Sequence, residues 1–285
     1  MVALGLAVHD HVFAPLPALA AFVVGWMIQF AGVVTDNYKN LQQQPDDLEH
    51  PELVEAVRLG LITLRGLKLT AQACYVLALL GGVYLAWIGG WPVVIIGLAS
   101  IGASWAYSAG PFPFGRHGLA DPLFFAFFGI VSVMGAYYVQ AVAAPTMPGL
   151  PAGAELHALS PLAFALSLPI GAMITGILII DDIRDRDFDR VKGKNTIAVR
   201  WGAHWSRVEW LVLMALAYLA PLWFWAGLRL PGAVLLPLLS LPLAAALARI
   251  VWRQDGFREL TPATPRAAGL VVLYAALLGA GLALS

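Results

Sequence analysis

The sequence predicts an all-α, polytopic membrane helical bundle, and three observations carry that prediction. Hydrophobic residues make up 60% of the 285 and charged residues only 12%, about half the charged share of a soluble domain. Mean hydropathy is +0.78. Apolar stretches near the roughly 20 residues needed to cross a bilayer recur at 16–35, 67–88, 91–108, 121–143, 159–180, 208–228, 231–251 and 267–284. These eight segments are too long for membrane strands and do not alternate in polarity.

Taken in chain order, residues 1–8, MVALGLAV, are apolar but too short to cross. They read as a free end or as the tail of a helix. No cleavable signal peptide is expected, because residues 1–15 lack a basic leading region. Gly81 and Gly82 in the second segment permit close helix contacts. Gly89–Gly90 then forms the short link to the third segment. The connections after the first, third, fifth and seventh segments are long and polar. Those after the second, fourth and sixth are Gly89–Gly90, the Pro/Gly/Ala-rich stretch 144–158 and a turn near Arg229. Of the 17 Lys and Arg residues, only Arg229 lies on the second set. The positive-inside rule therefore places the polar connections in the cytoplasm, and the protein in the cytoplasmic membrane. The formal net charge is zero, so no basic surface suits nucleic acid. The lone Cys74 excludes an internal disulfide and a cysteine metal site.

Three polar clusters lie on the cytoplasmic side. The richest, DDIRDRDFDRVKGKNTIAVR, has five aspartates between 181 and 189. Asp181, Asp185 and Asp189 are four apart, so on one helix they share a face, with Asp182 beside the first. Like charges at that spacing repel unless neutralised. Mg²⁺ is a natural counter-ion, since it takes carboxylate, water and phosphate oxygens. A plain solvated segment neutralised by Arg184, Arg186 and Arg190 is the blander alternative. Lys192, Lys194 and Arg200 follow, and are candidates to hold a diphosphate or simply to mark the cytoplasmic side. The second cluster follows the first span. Asp36 and Asn40 share a face there, Asn37 and Tyr38 adjoin Asp36, and Asp46 and Asp47 come after the helix-breaking Pro45. These residues are candidates for the opposite wall of one site, or for a solvated loop. The third cluster, YSAGPFPFGRHGLAD at 107–121, takes a non-helical path at Gly110, Pro111 and Pro113. Arg116 and Asp121 are its candidate substrate contacts, while His117 reads as structural. In the following segment Phe124, Phe125, Phe127 and Phe128 are candidate channel or core residues. Tyr137, Tyr138 and Gln140 read as outer interfacial anchors.

DDIRDRDFDRVKGKNTIAVRWG at 181–202 resembles the second aspartate-rich motif of the UbiA superfamily of intramembrane prenyltransferases. The closest likeness is to its 1,4-dihydroxy-2-naphthoate polyprenyltransferase branch, which serves menaquinone synthesis. Arg184, Asp185, Asp189, Gly193, Lys194, Thr196 and Arg200 match that branch, whereas Asp181 and Asp182 stand where it usually has Asn. The segment 107–140 resembles its Y-x-x-G-P-x-P stretch and the helix that follows. The first motif departs from the usual N-D-Y-x-D: here the positions are Asp36, Asn37, Tyr38 and Asn40, with Asp46 as the later acid. The resemblance covers residues 12–285 and implies one UbiA-like transmembrane domain over 1–285. Family members have nine helices, so the likeness also implies that most of the first is lacking.

The resemblance further implies Mg²⁺-dependent transfer of a polyprenyl group from polyprenyl diphosphate to 1,4-dihydroxy-2-naphthoate, with decarboxylation, towards demethylmenaquinone. Both acidic clusters would hold metal: Asp36, Asn37, Asn40, Asp46 and Asp47 on one side, Asp181, Asp182, Asp185 and Asp189 on the other. Lys192, Lys194, Arg200 and Tyr38 would hold the prenyl diphosphate. Asp181, Asp185 and Asp189 would serve catalysis, and Arg116 and Asp121 would meet the aromatic acid acceptor. The prenyl tail would lie among membrane lipid and helices. Alternatives are another acceptor ring, such as 4-hydroxybenzoate, homogentisate or a chlorin, a noncatalytic relative, or a small-solute transporter. Transport is disfavoured because the acids gather at one face and no inverted repeat is evident.

Overall fold

A computed structural model describes residues 1–43, 51–144 and 159–285. The described residues are helical and contain no strand. Seven helices are long and apolar enough to cross a membrane. One of them, α4 (Leu64–Ser108), has 45 residues and would measure about 67 Å if straight, over twice the bilayer core. It breaks at Gly90 (φ 67°, ψ −159°), in the left-handed region that an L side chain resists. That break falls at the link expected between the second and third spans. The eight apolar segments therefore all fall on helices long and apolar enough to cross, two of them within one interrupted helix.

The order is α1 (Val2–His9), α2 (Pro15–Gln43), α3 (Pro51–Arg58), α4, α5 (Ala120–Phe124), a π-helical stretch (Phe125–Val131) and α6 (Ser132–Ala143). There follow α7 (Pro161–Arg184), α8 (Arg186–Val191), α9 (Ile197–Arg200), α10 (Ala203–Ala226), a 3₁₀ stretch (Gly232–Ser240), α11 (Leu241–Arg253), α12 (Phe257–Leu260) and α13 (Ala263–Ala283). The apolar N-terminal stretch is ordered: α1 packs on α13, with Gly5 and Gly279 so close that a Cβ on Gly5 would collide with the Gly279 backbone.

Helix α7 is the axis of the bundle. Of its apolar window, 78% is buried, against 17% for α2 and for α4, whose outer faces are left for lipid. Leu166, Ala172, Met173, Ile179 and Ile180 of α7 are buried, with Trp210, Phe224 and Tyr274 from α10 and α13. The π-helical stretch crosses α7 where Gly129 meets Gly171, and a Cβ on Gly129 would strike the Gly171 backbone. Small residues permit such close crossings in membranes. The inner end of α7 carries the acid-rich segment, so that segment is fixed by the most deeply packed helix.

Tyr137, Tyr138 and Gln140 are buried, not interfacial as expected. The Tyr138 hydroxyl donates to the Gly89 carbonyl at 2.7 Å, which ties α6 to the break in α4. The Tyr137 hydroxyl donates to Asp10 at 2.5 Å. Each phenol found a partner inside the protein, so neither ring needed the water interface.

Candidate active site

Helix α2 stays regular to Gln43, which keeps Asp36 and Asn40 one turn apart. The Asn40 amide donates to one Asp36 carboxylate oxygen at 3.1 Å, and the Ser108 hydroxyl at the end of α4 donates to the other. The first cluster and the Y-x-x-G-P-x-P segment are thus joined directly. Asn37 and Tyr38 lie outside the walls of both cavities described below. Asp46 and Asp47 lie outside the described residues.

The acid-rich segment divides between two directions. Helix α7 ends at Arg184, and Asp185 (φ −94°, ψ 6°) caps it before α8 begins. Backbone bonds from Asp185 N to Asp181 O and from Asp189 N to Asp185 O, each 2.8 Å, carry the chain round the bend. Asp181 accepts from Thr264 of α13 at 2.6 Å and pairs with Arg184 at 2.7 Å. Asp185 pairs with the same guanidinium at 2.5 Å. Asp189 is buried and pairs with Lys194 at 2.8 Å. Asp182 is also buried and feels the charges of Asp121, Asp189, Asp181 and Lys194. Asp121 is buried too, with one carboxylate oxygen that meets no donor among the described residues.

Two loops close over this end of the bundle. The Arg116 carbonyl accepts from both the backbone N–H and the side-chain amide of Asn195, at 3.1 and 3.0 Å. Gly118 (φ +72°) passes beneath, where a Cβ would lie 2.7 Å from the Asn195 carbonyl oxygen. Thr196 caps α9, accepting from Val199 N at 3.3 Å. His117 stacks on Phe112 at 3.6 Å and its Nδ1 bonds the Pro113 carbonyl at 2.8 Å, a structural role.

The result is a polar cavity of about 180 Å³. Its walls come from α2 (Asp36, Lys39, Asn40, Gln43), from 107–116 (Tyr107, Ser108, Gly115, Arg116) and from 191–194 (Val191, Lys192, Lys194). Among the described residues of this wall Lys39, Arg116, Lys192 and Lys194 stand with Asp36, a lining suited to an anion. Arg116 donates to Gln43 across the cavity. Arg200 is exposed and lies over the Trp201 ring at 5.9 Å, outside this wall. Against the polar cavity stands an apolar one of about 350 Å³ among α2, α4 and the α5–α6 segment, and Asp36 and Tyr107 belong to both walls. Phe124, Phe127 and Phe128 line it, while Phe125 turns to the core beside Gly171. Tyr107 stands at the junction, within electrostatic reach of Asp36, Asp182, Asp189 and Lys194.

A family model described as the UbiA prenyltransferase family matches residues 1–264. The chain belongs to the UbiA prenyltransferase family. It is therefore a prenyltransferase, and its apolar helices make it a multi-pass membrane protein. It is 30% identical to a 1,4-dihydroxy-2-naphthoate octaprenyltransferase of Escherichia coli over 268 residues, covering 85% of this chain and 76% of that one. The enzyme of the same name from Mycobacterium tuberculosis is 30% identical over 266 residues, 93% of this chain and 82% of that one. The one from Haemophilus influenzae is 26% identical over 286 residues, 98% and 88%. The fold matches the apo structure of a UbiA homolog from Aeropyrum pernix with a TM-score of 0.71 at 17% identity, covering 98% of this chain and 93% of that one.

Sequence reasoning named Asp36, Asn40, Arg116, Lys192 and Lys194, and the fold brings these five to one cavity. It did not single out Lys39, Gln43, Tyr107 or Ser108. The clue available was the position of Tyr107–Ser108 just before a Gly-Pro break, where a helix end must face something.

Mg²⁺ is tested by the donors present. Among the described residues no three carboxylates converge on one point, so an all-protein cage does not form. Asp121, Asp182 and Asp189 are buried acids, and one Asp121 carboxylate oxygen meets no donor among the described residues. Mg²⁺ commonly binds through one or two carboxylates and completes its shell with water and substrate phosphate. The residues fit that mode.

Proposed function

We propose that this prenyltransferase moves a polyprenyl group from polyprenyl diphosphate to 1,4-dihydroxy-2-naphthoate with loss of the carboxylate, in an Mg²⁺-dependent reaction at the cytoplasmic face of the cytoplasmic membrane. The observation that carries this reading is the cationic cavity opening beside an apolar one at Asp36 and Tyr107. A substrate with a charged head and a greasy tail needs that pair. The names of the relatives supply the acceptor.

The diphosphate sits against Lys39, Arg116, Lys192 and Lys194, which offer fixed positive charge where negative charge grows on the leaving group. Asp36 and Asn40 on one side, with Asp182 and Asp189 on the other, would hold Mg²⁺. When bound, Mg²⁺ supplies Lewis-acid neutralisation of the departing diphosphate. Asp181 and Asp185 act at one remove, by fixing Arg184 between α7 and α13. The allylic C–O bond breaks and its electron pair leaves on the diphosphate. The carboxylate-bearing ring carbon forms the new C–C bond. Carbon dioxide departs and its bonding pair restores the aromatic ring. The products are the hydroquinone form of demethylmenaquinone, carbon dioxide and diphosphate, with no added oxidant or base. The Phe124, Phe127 and Phe128 side chains exclude water from the allylic centre.

The test is turnover by the purified, detergent-solubilised protein with Mg²⁺, a long-chain prenyl diphosphate and one aromatic acid at a time, read by mass spectrometry. A prenylated, decarboxylated naphthoate is the expected product. Product with 4-hydroxybenzoate or homogentisate alone overturns the acceptor while leaving the diphosphate site standing.

A further inference from the structure

The apolar cavity contains a polar group that the prenyl donor cannot use. Gln29 lines it, and is the central residue of the 29-residue α2. It lies seven residues, about 10 Å along the helix, from Asp36. No described residue hydrogen-bonds to its amide. An uncharged amide at mid-span without a partner is costly, because hydrocarbon offers it nothing in exchange for water. Its neighbours are fixed by the pairing of α2 with α4. Asp36 meets Ser108, and Gly32 meets Ser104 one turn on. Ser100 stands one turn before Ser104 on α4 and lines the same cavity as Gln29. Ser104 is already engaged, donating to the Ile28 carbonyl at 3.0 Å and sharing a bond with Tyr75 at 3.2 Å. Gln29 and Ser100 therefore remain for a ligand.

The prenyl donor keeps all its oxygens in the diphosphate, which belongs in the polar cavity, and its tail has none. The oxygens left to meet Gln29 are those of the acceptor ring. We propose that Gln29, with Ser100, hydrogen-bonds the ring oxygen farthest from the reacting carbon, and so selects an acceptor hydroxylated on that far edge. This rests on the reading that an aromatic ring enters at the Asp36–Tyr107 junction. With the reacting edge there, the far edge of the ring points up the cavity towards Gln29. The amide suits this task, since its oxygen accepts from a phenol and its nitrogen donates to a phenolate or carbonyl.

The test compares equilibrium binding of 1,4-dihydroxy-2-naphthoate and 1-hydroxy-2-naphthoate to the full chain in detergent, with a non-cleavable prenyl thiodiphosphate bound. Wild type is expected to prefer the dihydroxy ring by about tenfold, the worth of one well-placed hydrogen bond. Gln29→Leu, close in size but apolar, should bring the two rings within about twofold, and Ser100→Ala should weaken the preference less. Unchanged affinity for the thiodiphosphate shows that the variant is folded. If Gln29→Leu discriminates as wild type does, the proposal falls and the acceptor assignment stands. If wild type binds neither ring, the acceptor assignment falls and takes the proposal with it.

Discussion

The two acidic segments meet the polar cavity in different ways. The segment from 181 to 189 has five aspartates, yet none of them lines the polar cavity, and what its chain adds to the wall is Lys192 and Lys194. The first segment holds Asp36, Asp46 and Asp47, and among its described residues Asp36 is the carboxylate on the cavity wall. Packing explains the difference. The acid-rich segment ends the most buried helix of the bundle, where bare carboxylates would repel one another. Asp181 and Asp185 are bound to Arg184, and Asp189 to Lys194. The inner end of α2 is less buried, and Asp36 there needs only neutral donors from Asn40 and Ser108. Clustered acid in a sequence thus marks where cations are recruited, and a carboxylate open to substrate can come from elsewhere.

The sharpest test of that contrast is Asp36→Ala against Asp181→Ala. Asp36→Ala should lower kcat by about 100-fold or more, since metal-assisted neutralisation is worth several kcal/mol and each 1.4 kcal/mol is tenfold. Its melting temperature should hold. Asp181→Ala removes the acceptor of the Thr264 hydroxyl and one of the carboxylates paired with Arg184, so it should lower the melting temperature more than it lowers kcat. The readouts are single-turnover rates beside thermal unfolding followed by circular dichroism. Equal kcat losses in the two variants would break the comparison.

The next effect concerns the paired cations. Asp189→Ala leaves Lys194 without its buried partner, a loss of about 3–5 kcal/mol when one member of such a pair is removed, and should cut both stability and turnover. Lys194→Met should instead raise KM for the prenyl diphosphate while kcat for bound substrate falls less. If the two variants give the same profile, the lysine serves only the fold. A smaller effect is expected from Gly118→Ala. A Cβ there meets the Asn195 carbonyl oxygen at 2.7 Å with φ +72°, and strain of that kind costs about 1–3 kcal/mol. The loops carrying Arg116 and Lys194 should separate, with a several-fold rise in KM for the diphosphate measured by initial rates.

What the sequence made legible was everything governed by one segment's own pattern. The apolar segments, the break at Gly89–Gly90 and the gathering of charge at one end of the bundle all follow from hydropathy, glycine and charged-residue positions. The spacing of Asp36 and Asn40 survived because α2 continues to Gln43. What stayed hidden depends on register between helices. Lys39 faces the cavity only because α2 lies beside the loop at 115–116. Tyr107 becomes a junction only when the end of α4 meets α2 and the α5–α6 segment. The four-residue spacing of Asp181, Asp185 and Asp189 suggested a common face and a common ion. Arg184 claims the first two, and the bend at Asp185 delivers the third to Lys194. Tyr138 looked like an interfacial anchor because sequence cannot show that the carbonyl it needs is at Gly89.

The smallest expected effect bears on the departure at Asn40, where the family's first motif usually has an acid. Asn40 now donates to Asp36 at 3.1 Å, which neutralises part of that carboxylate without adding charge. Asn40→Asp replaces a donor with a second carboxylate one turn away. Without a cation the two acids repel, at a cost of a few tenths of a kcal/mol on an exposed helix face. With Mg²⁺ the same pair becomes a better clamp. The expected outcome is a several-fold lower Mg²⁺ concentration at half-maximal rate, with a slightly lower melting temperature in chelator that recovers on adding Mg²⁺. An unchanged Mg²⁺ titration would mean that Asn40 does not face the ion, and that the α2 wall contributes Asp36 alone.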